Sequence, residues 1–181
     1  MNLLEVLILA FALSMDAFAV SIGLGAKYRH KTIKTALLSG SYFGVFQGIM
    51  PILGLFMGYK LLIWAKEYTY WIAFIILAIL GVKMIMEAFS SDSNEMKIKL
   101  THRALIMLAI ATSLDAMFAG FGIALIPLSP IIICIIIALV TFFFSFVGAV
   151  VGAKGVTFIG KKAELLGGVI LIIIGFKLLM F

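Results

Sequence analysis

Apolar residues gather into six long stretches, 3–23, 36–58, 70–89, 104–126, 131–152 and 163–180, parted by short polar breaks. Each is close to the ~20 residues that an α-helix needs to cross the hydrocarbon core of a bilayer. The pattern predicts an all-α integral membrane protein with six transmembrane helices and little chain outside the membrane.

The polar positions repeat. Leu9 to Gly23 reads LAFALSMDAFAVSIG, and Leu108 to Gly122 reads LAIATSLDAMFAGFG, an offset of 99 that pairs Ser14 with Ser113 and Asp16 with Asp115. At an offset of 94, Gly54, Gly58 and Lys60 pair with Gly148, Gly152 and Lys154, and Gly81 and Lys83 pair with Gly175 and Lys177. The expected organisation is a first three-helix repeat over 1–89, a cytoplasmic connecting loop over 90–103 and a second three-helix repeat over 104–181. An odd number of spans per unit starts the second unit on the opposite side, so the repeats are expected to be inverted. That is a common plan of secondary transporters, whose sites lie near the midplane at the repeat interface.

Composition narrows the class. The chain of 181 residues is 65% hydrophobic and 12% charged, against about half and a quarter in soluble domains. A nucleotide-binding domain or a soluble enzyme domain has no room here, so ATP-driven transport would need a motor on another chain. The single cysteine, Cys134, lies in an apolar run and excludes a disulfide framework or a thiolate metal site within the chain. Ala17-Phe18-Ala19 has the form of a signal-peptide cleavage site. Yet no basic residue precedes it, Asp16 interrupts the apolar run and a near copy recurs around residue 110, so the first stretch is expected to be a retained span.

The net charge of +6 reads as a topology signal rather than as nucleic-acid binding. Loops 24–35, 90–103 and 153–162 hold ten basic residues, whereas loops 59–69 and 127–130 hold two. Short cytoplasmic loops are enriched in Lys and Arg. Both termini are therefore expected outside the cytoplasm, with His30 and His102 solvated in cytoplasmic loops.

Asp16 and Asp115 fall near the centres of spans one and four. An ionised aspartate there costs about 2.5–3.5 kcal/mol on insertion scales, so two at matching depth call for a function. Small residues share their helical faces: Ala12, Ala19 and Gly23 beside Asp16, and Ala111, Thr112, Ala119 and Gly122 beside Asp115. Such residues let membrane helices approach closely, which would bring the carboxylates face to face. Gln47 lies at similar depth in span two with Pro51 four residues on. Proline supplies no N–H to the Gln47 carbonyl, so Gln47 could offer both a side-chain amide and a backbone oxygen. Thr141 is the counterpart of Gln47 and Ser145 that of Pro51. The candidate metal ligands are Asp16, Asp115, Gln47, Thr112, Ser14, Ser113 and Thr141. The two serines sit off the aspartate faces and are more readily bonded to their own helices. Lys83, near the cytoplasmic end of span three, is expected to snorkel and pair with Glu87. Met15, Met50 and Met117 lie near the same depth and read as packing. Oxygen donors suit Mg, Ca and Mn, whereas Zn and Cu favour imidazole and thiolate; the residues by themselves point to a hard or borderline divalent cation.

Five segments carry a resemblance: LSMDAFAVSIG at 13–23, FGVFQGIMPILG at 43–54, GVKMIMEAF at 81–89, ATSLDAMFAGFGIAL at 111–125 and KKAELLGGVILIIIG at 161–175. In order and spacing the chain resembles the MntP family of manganese efflux pumps. The resemblance implies a six-span inner-membrane exporter of Mn²⁺, not an enzyme, with Asp16 and Asp115 matching the family's intramembrane acids. Some members carry an acid where Gln47 stands. No cofactor is expected; the metal is the cargo. The partners are that ion and the lipid bilayer, with no nucleic acid and with a homo-oligomer left open.

The expected mechanism is secondary-active efflux coupled to protons through the Asp16–Asp115 site. The alternative is export of another divalent cation, such as Cd²⁺, or of a small amino acid. An intramembrane aspartyl protease also uses two membrane acids, but neither aspartate lies in a G-x-G-D context. A non-transporting scaffold would tolerate alanine at both.

Overall fold

The structure, a computed structural model, describes residues 3–64, 69–89, 100–123, 128–155 and 158–180. Six α-helices fill them: α1 (Leu3–Lys27), α2 (Thr32–Trp64), α3 (Thr69–Phe89), α4 (His102–Ile123), α5 (Pro130–Ala153) and α6 (Phe158–Met180). Helices satisfy every backbone group within the segment, which is what lipid demands. By length and composition, four stretches are able to cross a membrane: Leu3–Lys27, Arg29–Met57, His102–Phe121 and Pro130–Ala153. Trp71–Met86 forms a shorter apolar stretch in α3.

The helices overrun several expected loops. Only Tyr28 and a 3₁₀ turn, Arg29–Lys31, separate α1 from α2, so Lys27 and Lys34 are helical. Lys60 lies within α2, Lys161 and Lys162 within α6, and His102 opens α4. Hydropathy marks where lipid-compatible residues end, whereas a helix runs on until its backbone is capped. Pro130 starts α5 as its first helical residue, where the missing N–H costs nothing. Gly155, at φ +86°, closes it through its N–H to the Gly152 carbonyl at 2.9 Å, a conformation that favours glycine. The rest of the connecting loop, 90–99, lies outside the described residues, as do Lys66 and Pro127.

Large apolar side chains such as Val45, Leu53, Ile79, Leu139, Phe143 and Ile173 face outward. The buried set includes aspartates, a glutamine and several hydroxyls. In water so much exposed apolar surface would drive association; in lipid it is the appropriate exterior.

The principal packing is α1 on α5, α2 on both α4 and α5, α3 on α6, and α6 on α1; α3 meets α4 in few places. Glycines set the registers. A Cβ on Gly148 would lie 2.7 Å from the Phe18 carbonyl oxygen, and one on Gly152 would lie 2.0 Å from that of Ile22, so α1 and α5 run parallel. A Cβ on Gly54 would lie 1.8 Å from the Met117 carbonyl oxygen, and one on Gly120 would lie 2.4 Å from that of Pro51, joining α2 to α4. Phe144 stacks edge-on against Phe11 and Phe18, with centroids 5.1 and 6.0 Å apart, and fixes α5 on α1. At one end of the α1–α6 contact, Lys177 on α6 bonds Glu5 on α1.

Candidate metal centre

Asp16 and Asp115 occupy the middle of α1 and α4 and are only 9% and 3% exposed. Their helices are joined through Gln47 on α2. Lys83, on α3, is exposed. Its expected partner Glu87 has a side chain outside the described set. Asp115 Oδ1 accepts the Ala116 backbone N–H at 2.8 Å. Its Oδ2 is buried with no hydrogen-bond partner among the described residues.

Gln47, fully buried on α2, ties the two aspartate helices together. Its Nε2 donates to the Leu13 carbonyl at 2.8 Å and to the Thr112 carbonyl at 3.3 Å. Leu13 and Thr112 are separated by the repeat offset of 99, so one amide grips matching points three residues before each aspartate. The amide nitrogen is spent on this brace. The amide oxygen has no hydrogen-bond partner among the described residues and is the donor left for a cation.

The other expected ligands divide. The Ser14 hydroxyl donates to the Phe11 carbonyl at 2.7 Å and that of Ser113 to the Ile110 carbonyl at 3.2 Å, as their off-face positions foretold. The Thr112 hydroxyl reaches the Leu108 and Ala109 carbonyls at 3.0 and 3.3 Å. These three hydroxyls bond back to their own helices. Thr141 Oγ1, fully buried on α5, has no hydrogen-bond partner among the described residues. Cys134 is a buried free thiol, and Met15 is buried in the apolar core. His102 is exposed, but it is not the loop residue expected: its Nδ1 pairs with the Tyr42 hydroxyl at 2.7 Å across the α2–α4 contact. No group of three or more His, Cys, Asp or Glu side chains able to hold a metal occurs among the described residues. The buried oxygens of Asp16, Asp115 and Gln47 are hard donors of the kind that suits Mg, Ca or Mn.

Sequence reasoning missed the Gln47 brace and the Lys177–Glu5 bond. The matched pair Lys83 and Lys177 was the available signal for the second; nothing in the sequence showed which way the Gln47 amide turns. Exchanging Gln47 for leucine keeps volume but removes both interhelical bonds. At the average worth of such bonds in membranes, Gln47→Leu lowers stability by about 1 kcal/mol, read as a lower thermal midpoint of the purified protein in detergent.

Apolar side chains outward and an oxygen-rich centre inward define a multi-pass helical membrane protein with an internal polar site. The chain belongs to the Mntp family, described as "Putative manganese efflux pump", which it matches over residues 29–179. This is a family of transporters, not of enzymes. Among similar proteins, the "Putative manganese efflux pump MntP" of Aliarcobacter butzleri is 49% identical over 179 residues, covering 99% of this chain and 100% of that one. The protein of the same name from Saccharophagus degradans is 44% identical over 177 residues, covering 98% of each chain. No solved structure matches the chain.

Proposed function

We propose that this protein exports Mn²⁺ across the cytoplasmic membrane by exchange for protons, at a midplane site built on Asp16 and Asp115. The observation that carries the reading is the burial of two carboxylates from matching points of the sequence, on helices that Gln47 joins, with oxygens nearby that lack hydrogen-bond partners among the described residues. The family's description supplies the metal.

Moving a divalent cation out against the membrane potential costs about 4.6 kcal/mol per 100 mV, from about 2.3 kcal/mol per charge. Two carboxylates balance its charge within the bilayer. When it leaves, two protons neutralise the same oxygens, and the return step carries no net charge.

The architecture proposed is six spans in two inverted repeats, 1–89 and 104–181, joined by the loop 90–103 and with both termini outside. Two helix contacts support it. The approach of Gly148 to Phe18 and that of Gly54 to Met117 become one contact when offsets of 94 and 99 are applied. The approaches of Gly81 to Gly168 and of Gly175 to Phe74 form a second such pair. The helix packing departs from this symmetry where α6 lies on α1 more fully than α3 lies on α4. That is the asymmetry expected of a transporter resting with access on one side. Rocking of one repeat against the other would exchange the two arrangements.

Proteoliposomes test the reading. Mn²⁺ flux is expected to rise severalfold when an opposing proton gradient is imposed and to acidify the compartment that the metal leaves by exchange. Flux indifferent to the gradient would remove the proton coupling. Absence of Mn²⁺ flux alongside rapid Cd²⁺ or amino-acid flux would reassign the cargo.

A further inference from the structure

Serine and threonine hydroxyls inside helices commonly bond a carbonyl one turn back. Ser14, Ser39, Thr112 and Ser113 do so. Ser21, Thr35, Thr141 and Ser145 behave differently. All four are 0% exposed, and their hydroxyl oxygens have no hydrogen-bond partner among the described residues. Buried polar groups are rarely left so, and each instance calls for an explanation.

Their positions are not scattered. Thr141, Ser145 and Gly148 are spaced by four and three residues on α5 and share one face. Gly148 brings that face onto α1, where a Cβ on it would lie 3.2 Å from the Ser21 Cβ. The parallel register puts Ser145 near the level of Asp16 and Ser21 about 7.5 Å further along α1, from the helical rise over five residues. Thr35 lies in the first turn of α2 at that same end. Ser21, Thr35 and Ser145 therefore lie at the depth of the carboxylates or between them and the Tyr28–Lys31 turn, and Thr141 lies one turn beyond Ser145 on the other side. Beyond Thr141 the opposite half holds no such hydroxyl among the described residues. There the counterparts of Ser21 and Ser145 are Gly120 and Pro51, packed directly on one another.

We propose that this half of the α1–α5 seam, continued past Thr35 in the first turn of α2, is a hydratable route between the Asp16–Asp115 centre and the Tyr28–Lys31 face, in which the hydroxyls of Ser21, Thr35 and Ser145 bind water and the partly hydrated divalent cation in transit, with Thr141 one turn beyond Ser145 at its inner end. The cargo rests on the proposed function; the hydration of the seam does not. In the conformation described the seam is shut by the close approach of Gly148 and Gly152 to α1. Unmet hydroxyls disfavour that shut state relative to a wet one, whereas the backbone contacts favour it. The two tendencies oppose each other across one seam, as a gate requires. Among the described residues the matching α2–α4 seam carries no buried hydroxyl without a hydrogen-bond partner.

The test uses the full chain with Cys134→Ala, carrying Ser21→Cys, Thr35→Cys or Ser145→Cys singly, in sealed vesicles of either orientation. A membrane-impermeant cationic methanethiosulfonate is expected to modify all three from the Tyr28–Lys31 side at least tenfold faster than a Val6→Cys control, with Mn²⁺ slowing the reaction. Ser21→Ala with Ser145→Ala preserves packing and is expected to slow Mn²⁺ flux about tenfold while leaving Mn²⁺ binding intact. Cysteines unreactive from that side, or alanine variants that transport at the unmodified rate, would overturn the route. Reactive cysteines in a protein that moves no Mn²⁺ would keep the wet seam and remove its cargo, which separates this failure from failure of the functional reading.

Discussion

Exchanging either Asp16 or Asp115 for asparagine is expected to reduce manganese export more than about 100-fold and leave the fold in place. Losing a group that merely orients a metal ligand already costs about 10–100-fold in affinity or activity, and a charged ligand contributes more. Asparagine keeps shape and one oxygen but removes the charge that balances a divalent ion. Asp115 is the sharper case, because Oδ1 is held by the Ala116 N–H and Oδ2 has no hydrogen-bond partner among the described residues. Asp115→Asn preserves an acceptor for Ala116 and alters chiefly the oxygen offered to the metal. The check is cellular manganese content and survival of a manganese-sensitive host, alongside size-exclusion profiles of the purified variants. Unchanged tolerance with either variant would separate that carboxylate from transport.

The second large effect is structural. Gly54→Val and Gly152→Val each place a branched side chain where even a single carbon would lie 1.8 Å from the Met117 carbonyl oxygen or 2.0 Å from that of Ile22. Backbone cannot yield as a flexible side-chain tip does. The cost is expected to reach at least about 3 kcal/mol, the upper end of ordinary overpacking. It should appear as loss of monodisperse protein or a sharply lower thermal midpoint. Gly160→Ala serves as the comparison, because its new Cβ would lie at an ordinary contact distance, 3.6 Å from Ala19. Equal behaviour of all three variants would contradict the proposed registers.

Much of this arrangement was legible because the bilayer imposes simple rules. Apolar runs of fixed length marked the helices, and an aspartate inside such a run stood out against them. The burial of Asp16 and Asp115, on helices that Gln47 joins, agrees with their repeated motifs and flanking small residues. Helix ends were less legible, since Lys27, Lys60 and Lys161 extend helices past the point where hydropathy falls. The direction of side-chain hydrogen bonds was least legible. Gln47 read as offering a side-chain amide and a backbone oxygen, and the amide nitrogen proves to brace two helices. Ser21 and Ser145 gave no sign that they differ from Ser14 and Ser113, because that difference lies in which neighbouring helix closes over them.

Equilibrium binding of ⁵⁴Mn²⁺ to the purified protein in detergent at neutral pH, compared with Asp16→Asn combined with Asp115→Asn, addresses the carboxylate site without any transport step. Saturable binding by the unaltered chain and its loss in the doubly substituted one is the predicted result. Equal binding by both would contradict the assignment of the cation to these two aspartates.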